Sequence, residues 1–200
     1  MAEHTRRVVL AGIAALAAAP APVSAGTGPR TAWDFEFPAI EGGTLRLADL
    51  RGRVLLVVNT ASFCGYTPQY RALEALHERL SPRGLTVVGV PSGDFGQEKA
   101  SNGEVKAFCE ATFGVQFPMA AISPVRGPDA APFYRWVREE RRWQPGWNFA
   151  KVLIGRDGRI AGTYASAAEP DRDPVLAAIT AALAHPLPSA GWHRNVGSIA

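Results

Sequence analysis

The sequence predicts an α/β fold, a central mixed β-sheet with helices on both faces. Three observations predict it. Two apolar, β-branched runs, RVLLVVN at 53–59 and LTVVGV at 85–90, read as strands buried on both faces. An amphipathic segment lies between them, so the three form a strand–helix–strand unit whose strands run parallel. Two further strands, 151–154 and 159–164, face each other across Gly155-Arg156-Asp157-Gly158, a sequence suited to a hairpin turn. A parallel pair and an antiparallel hairpin together make the sheet mixed.

In order along the chain, residues 33–50 give short strand-like pieces around a turn at Glu41-Gly42-Gly43. The strand at 53–59 follows. Residues 68–80 form a helix with Leu73, Leu76 and Leu80 on one face. After the strand at 85–90 comes a helix at 100–112. Ser101 is placed to cap it, and Glu104 three residues later completes a capping box. A third helix spans 132–141, the hairpin follows, and a helix at 174–183 closes the domain. This β-α-β-α-α-β-β-α order is a thioredoxin-like arrangement, and no internal repeat interrupts it.

The chain has 200 residues, enough for one domain and too few for two ordinary ones. Its hydrophobic share of 47% suits a packed core, and the net charge of +3 is small. The densest basic stretch, Arg138, Arg141 and Arg142, holds Glu139 and Glu140 among its members. It reads as a solvated helix face and not a nucleic-acid groove. Residues 1–25 read as an export signal. Arg6 and Arg7 start it, an apolar run spans 8–19, and Val23-Ser24-Ala25 offers small residues before a cut. The Thr5-Arg6-Arg7 start is similar to a twin-arginine signal. The run is shorter than the ~20 residues that span a bilayer, and no later segment is long enough. The expected organisation is therefore a signal at 1–25, a linker at 26–32, a globular domain at 33–184 and a loose tail at 185–200. The protein is expected in the periplasm or outside the cell, with no stable membrane insertion.

Two cysteines are present, Cys64 and Cys109. In an oxidising compartment they could form a structural disulfide. The setting of Cys64 points to chemistry instead. It lies in the connection from the first buried strand to its helix, the edge where open α/β sheets place their sites. Free N–H groups at a helix N-terminus favour a thiolate, the nucleophilic form of the thiol.

Residues 59–70 read NTASFCGYTPQY. They resemble the signature N-x-A-S-x-C-G-x-T-x-Q-Y of the glutathione peroxidase family, in which the cysteine or selenocysteine reacts with peroxide. Two more blocks resemble that family in the same order. PSGDFGQE at 91–98 matches the loop that carries a catalytic Gln, here Gln97. WNFAKVLI at 147–154 matches the block that carries a catalytic Trp and Asn, here Trp147 and Asn148. The resemblance covers residues 33–183. It implies a thiol peroxidase acting on hydrogen peroxide or on organic or lipid hydroperoxides, with Cys64 passing through a sulfenic acid. Gln97, Trp147 and Asn148 are side chains that can donate hydrogen bonds to charge developing at that sulfur and the leaving oxygen. Cys109, in AFCEATFGVQFP, resembles the resolving cysteine of the family's two-cysteine members, which closes a disulfide that a thioredoxin-like protein reduces. No extra loop precedes WNF, so by resemblance the expected form is a monomer served by a thioredoxin-like donor, or else by glutathione.

The chain departs from the family at four places. Thr60 stands where an apolar residue is usual, Gly93 where Asn is usual, and Lys99 where Pro is usual. One residue is also missing between Gly96 and the Gln. A one-residue deletion can move an amide by up to ~3.5 Å, so the placement of Gln97 depends on how the loop compensates. No cofactor and no metal site are expected. His77, His185 and His193 lie outside the matching blocks and read as surface residues. The rival enzyme of this fold, a thiol–disulfide oxidoreductase, would need a cysteine at Thr67, and a C-x-x-C pair is missing. A non-catalytic redox-sensing or binding module is the rival of another kind.

Overall fold

The structure is a computed structural model that describes residues 29–186. The expected export signal, most of the linker and most of the tail lie outside the described residues. A small antiparallel hairpin comes first, β1 (Glu36–Pro38) with β2 (Thr44–Arg46). Its turn passes through Gly42 and Gly43, both at positive φ, where a side chain would be strained.

The main sheet has the order β4-β3-β5-β6. The central strand β3 (Val54–Thr60) runs parallel to β4 (Leu85–Pro91), pairing from Val54↔Leu85 to Thr60↔Pro91. On its other side it runs antiparallel to β5 (Lys151–Ile154), which pairs in turn with β6 (Ile160–Tyr164). Every residue of β3 and β4 is buried, as their unbroken apolar runs require of strands covered on both faces.

The two faces form separate cores, and the alternation of side chains along β3 divides them. Val54, Leu56 and Val58 pack with Leu73 and Leu76 of α1 (Gln69–Leu80), Val105 of α2 (Asn102–Phe113) and Ile179 of α4 (Val175–Ala184). Leu55 and Val57 pack on the opposite face with Phe37 of β1 and with Phe133 and Trp136 of α3 (Pro132–Arg141). Each element stands within a residue or two of its sequence expectation, and the fold is thioredoxin-like.

Three details differ from the sequence reading. Glu104 N–H does donate to Ser101 Oγ at 3.3 Å, but Glu104 Oε2 accepts from that same hydroxyl and not from the backbone of the cap. The first-turn bond is kept and the reciprocal one is redirected. His77 is half-buried and not a surface residue: its Nδ1 accepts a bond from Val87 N–H at 3.3 Å, and burial lowers its basicity. Arg156, read only as a turn residue, reaches the carbonyls of Gly52, Arg83 and Leu183 and so ties the hairpin to three distant segments. In the same turn only glycine fits at 158, where φ is +80° and a Cβ would lie 2.4 Å from Trp33 Nε1. Among the described residues no helix is long and apolar enough to cross a membrane.

Candidate active site

The parallel strands β3 and β4 end together at Thr60 and Pro91, and the loops leaving that edge carry the site. The turn after β3 is held by Thr67. Its Oγ1 donates to Ala61 O at 2.9 Å and accepts from Cys64 N–H at 3.0 Å, while Thr67 N–H donates to Cys64 O at 3.0 Å. Thr67 thus stands where a redox pair would have its second cysteine, and it fixes the backbone of the first. The Cys64 side chain is 7% exposed, and its Sγ accepts from Tyr66 N–H at 3.4 Å. That N–H belongs to the turn that precedes α1, since the helix itself begins at Gln69.

The loop after β4 is fastened to this turn. Phe63 N–H donates to Gln97 O at 2.9 Å. Glu98 Oε1 accepts from Ser62 N–H at 3.1 Å, from the Ser62 hydroxyl and from Lys99 N–H at 2.8 Å. Burial raises the Glu98 carboxyl above its ordinary range, and these bonds oppose the rise. Gly96, at φ +68°, turns tightly back with its N–H on Gly93 O at 2.9 Å. The shortened loop therefore still delivers Gln97, whose Oε1 accepts from Asn148 Nδ2 at 2.9 Å.

The 147–150 segment lies along the end of β3. Asn59 Nδ2 donates to Trp147 O at 3.1 Å, and Asn59 O accepts from Phe149 N–H. Asn148 is fully buried, and Phe149 after it takes φ +63°, a conformation that a bulky residue holds only under constraint from its surroundings. Phe149 is also fully buried and meets Tyr70 edge-on at 5.3 Å, which supplies that constraint. Trp147 is 43% exposed and rests against Phe95 at 5.2 Å.

The structure thus brings Gln97 and Asn148 together and sets Trp147 at the rim. Among the described residues the hydrogen bond to Cys64 Sγ comes from Tyr66, not from these three. The sequence placed Cys64 at the free N–H groups of a helix N-terminus; the structure supplies one such N–H, but from the turn at Tyr66, because α1 begins only at Gln69. Cys109 lies on α2, fully buried, in the same core cluster as Cys64 and Tyr70, and both cysteines are free thiols. Burial, first of all, pushes the Cys109 thiol up to about 11.

Lys151 is a second buried polar feature that sequence reasoning passed over. Fully buried on β5, its ammonium donates to Gln69 Oε1 at 2.6 Å, Ala168 O at 2.5 Å and Ser166 O at 3.2 Å. It joins the start of α1 to the turn after β6. Burial pulls it down to about 8, with Glu169 acting in the opposite sense. The available signal was its inward place in an apolar strand, KVLI.

Fold and site define a thioredoxin-fold redox protein whose chemistry rests on a loop cysteine without a C-x-x-C partner. The chain belongs to the glutathione peroxidase family, whose model matches residues 32–138. The hydroperoxy fatty acid reductase gpx1 of Synechocystis sp. is 41% identical over 155 residues, covering 70% of this chain and 90% of that protein. The glutathione peroxidase-like peroxiredoxin gpx1 of Schizosaccharomyces pombe is 39% identical over 137 residues, covering 66% and 86%. Among solved structures, the crystal structure of Trgpx in apo form is 33% identical, covers 80% of this chain and all of that one, and superposes with a TM-score of 0.66. A thiol:disulfide interchange protein of the thioredoxin family from Chlorobium tepidum, at 20% identity and a TM-score of 0.54, shares the fold. With this membership the chain is a peroxidase that reduces peroxides at a cysteine and is recycled by a thiol reductant.

Proposed function

We propose that Cys64 is the peroxide-reacting cysteine, that Cys109 resolves it, and that a thioredoxin-like protein is the preferred donor, with glutathione the alternative. The observation that carries this reading is the convergence on one sheet edge of the Cys64 turn, the Gln97–Asn148 amide pair and Trp147. The Cys64 thiolate attacks one peroxide oxygen and the O–O bond breaks. The departing oxygen takes a proton and leaves as water or an alcohol, and Cys64 becomes a sulfenic acid. The Tyr66 N–H, the Gln97 amide and the Trp147 indole are the donors for the charge that passes from sulfur to oxygen. Asn148 acts through Gln97: by donating to its Oε1 it turns the Gln97 Nε2 away from itself.

Resolution follows. Cys109 sulfur attacks Cys64 sulfur, the S–S bond forms, and the hydroxyl leaves with the Cys109 proton as water. A dithiol donor then exchanges with that disulfide, taking the oxidation as its own disulfide and returning both thiols. The N-terminal residues 1–25 support action after export, in the periplasm or outside the cell. The absence of an inserted loop before Trp147 supports a monomer.

The test is peroxide consumption by the purified protein coupled to a thioredoxin system, with Cys64→Ser and Cys109→Ser alongside. Turnover that disappears in both variants supports the two-cysteine cycle. Turnover that survives Cys109→Ser would assign reduction to a direct external thiol.

A further inference from the structure

We infer that Lys99 is a positioning residue for the resolving step, a strap that holds the helix of Cys109 against the turn of Cys64. The inference rests on the two-cysteine reading above. Lys99 stands where the family usually has proline, so the device belongs to this chain. Its ammonium lies 4.6 Å from the ring centre of Phe63 and 5.0 Å from that of Phe108. Phe63 immediately precedes Cys64, and Phe108 immediately precedes Cys109. One cation therefore bridges the neighbours of both cysteines.

The backbone end of the strap is firm. Lys99 N–H, Ser62 N–H and the Ser62 hydroxyl all meet Glu98 Oε1, and Phe63 N–H meets Gln97 O. Residues 97–99 thus move with the Cys64 turn, and the Lys99 side chain is the part that reaches across to α2. That helix needs such a hold, because Val105 and Cys109 are its only fully buried side chains. A Cys64–Cys109 disulfide needs Cα atoms within about 7 Å and a matching side-chain geometry, and in this proposal α2 loosens around residue 109 to meet it. Phe108 then leaves the ammonium. Attraction between a cation and an aromatic face stabilises the resting arrangement and slows the release of Cys109. The sulfenic acid on Cys64 consequently lasts longer, which leaves more time for an external thiol to capture it.

The experiment is rapid-mixing kinetics of the reduced full-length protein with one equivalent of hydrogen peroxide. It follows sulfenic-acid formation and disulfide closure separately, with hydrogen exchange on residues 102–113 of the reduced protein. Lys99→Met is expected to close the disulfide about two- to five-fold faster and to lower exchange protection, with the peroxide step unchanged. Lys99→Arg, which keeps a cation over the rings, restores the original rate. Phe108→Leu keeps the charge and is expected to match Lys99→Met or exceed it, with the double variant no faster than Phe108→Leu alone. An unchanged closure rate or unchanged protection in Lys99→Met overturns the strap. So does closure that slows in Lys99→Met and ignores Phe108→Leu, since Lys99 would then act only by its charge on the thiol. If no disulfide forms even in the unmodified protein, the two-cysteine reading fails first and the strap's role in resolution falls with it.

Discussion

The turn of Cys64 and the helix of Cys109 contribute to one core cluster, yet they are held in opposite ways. The turn leaves a strand buried along its whole length, is pinned twice by Thr67, and accepts a fastened loop through Phe63 and Ser62. It runs into α1, which buries Gln69, Tyr70, Leu73, Leu76 and Leu80. Helix α2 buries completely only Val105 and Cys109, and its ties to the rest of the chain include the Lys106–Glu41 ion pair, the bond from Ile122 N–H to Asn102 Oδ1, the contact of Phe113 with Tyr70 and the Lys99 contacts. A cysteine that must meet peroxide among fixed donors gains from a rigid frame. A cysteine that must leave its site to resolve a sulfenic acid gains from a lightly held element. Under the proposed two-cysteine cycle, the difference in packing suits the two roles.

Breaking the rigid side has the largest expected effect. Cys64→Ser abolishes peroxide turnover in the coupled assay. Gln97→Ala, which removes a donor amide and the partner of Asn148, is expected to lower the second-order rate with peroxide by roughly 10²-fold while circular dichroism stays unchanged. A loss of less than threefold would remove Gln97 from the site.

Packing sharpens the same contrast. Leu76→Ala on α1 is expected to cost about 2–5 kcal/mol in denaturant unfolding, because Leu76 is buried against the sheet. Cys109→Ser keeps the volume on α2 and is expected to cost less than that, while ending thioredoxin-coupled turnover but not the first oxidation of Cys64. Equal costs for the two variants would contradict the difference in anchoring.

The smallest effect concerns the pin beneath α1. Burial lowers the Lys151 ammonium to about 8 from its ordinary 10.5. Between those values the unfolded chain binds a proton that the folded protein has released, so this group adds stability as pH rises through the window. The gain is lost again as pH falls through the folded value. The melting temperature of the unmodified protein, compared with Lys151→Met, is expected to rise from pH 7 to pH 10, both taken as about the limits of the window. A flat difference would mean that the ammonium keeps its charge throughout. The comparison cancels the opposing contribution of Cys109, whose raised thiol costs stability over its own higher range.

The sheet was legible because RVLLVVN and LTVVGV are unbroken apolar runs and GRDG is a strong turn, and these signals are local. The three site blocks were legible as motifs, and the structure joins Gln97 to Asn148 across the loop shortened by one residue. What escaped were relations between segments. The N–H that reaches Cys64 Sγ belongs to a turn, His77 is fixed by a strand beside its helix, and Lys151 is satisfied by carbonyls after β6. Lys99 was legible only as a departure from the family pattern. Its meaning depends on two rings, Phe63 and Phe108, that are distant in sequence.

The most direct test compares hydrogen exchange in the fully reduced protein and in the Cys64–Cys109 disulfide form. Residues 102–113 are expected to lose protection on oxidation, while residues 54–60 and 69–80 keep theirs. Equal protection of 102–113 in both forms, or loss spread evenly over α1 and α2, would contradict a fixed Cys64 frame served by a yielding Cys109 helix.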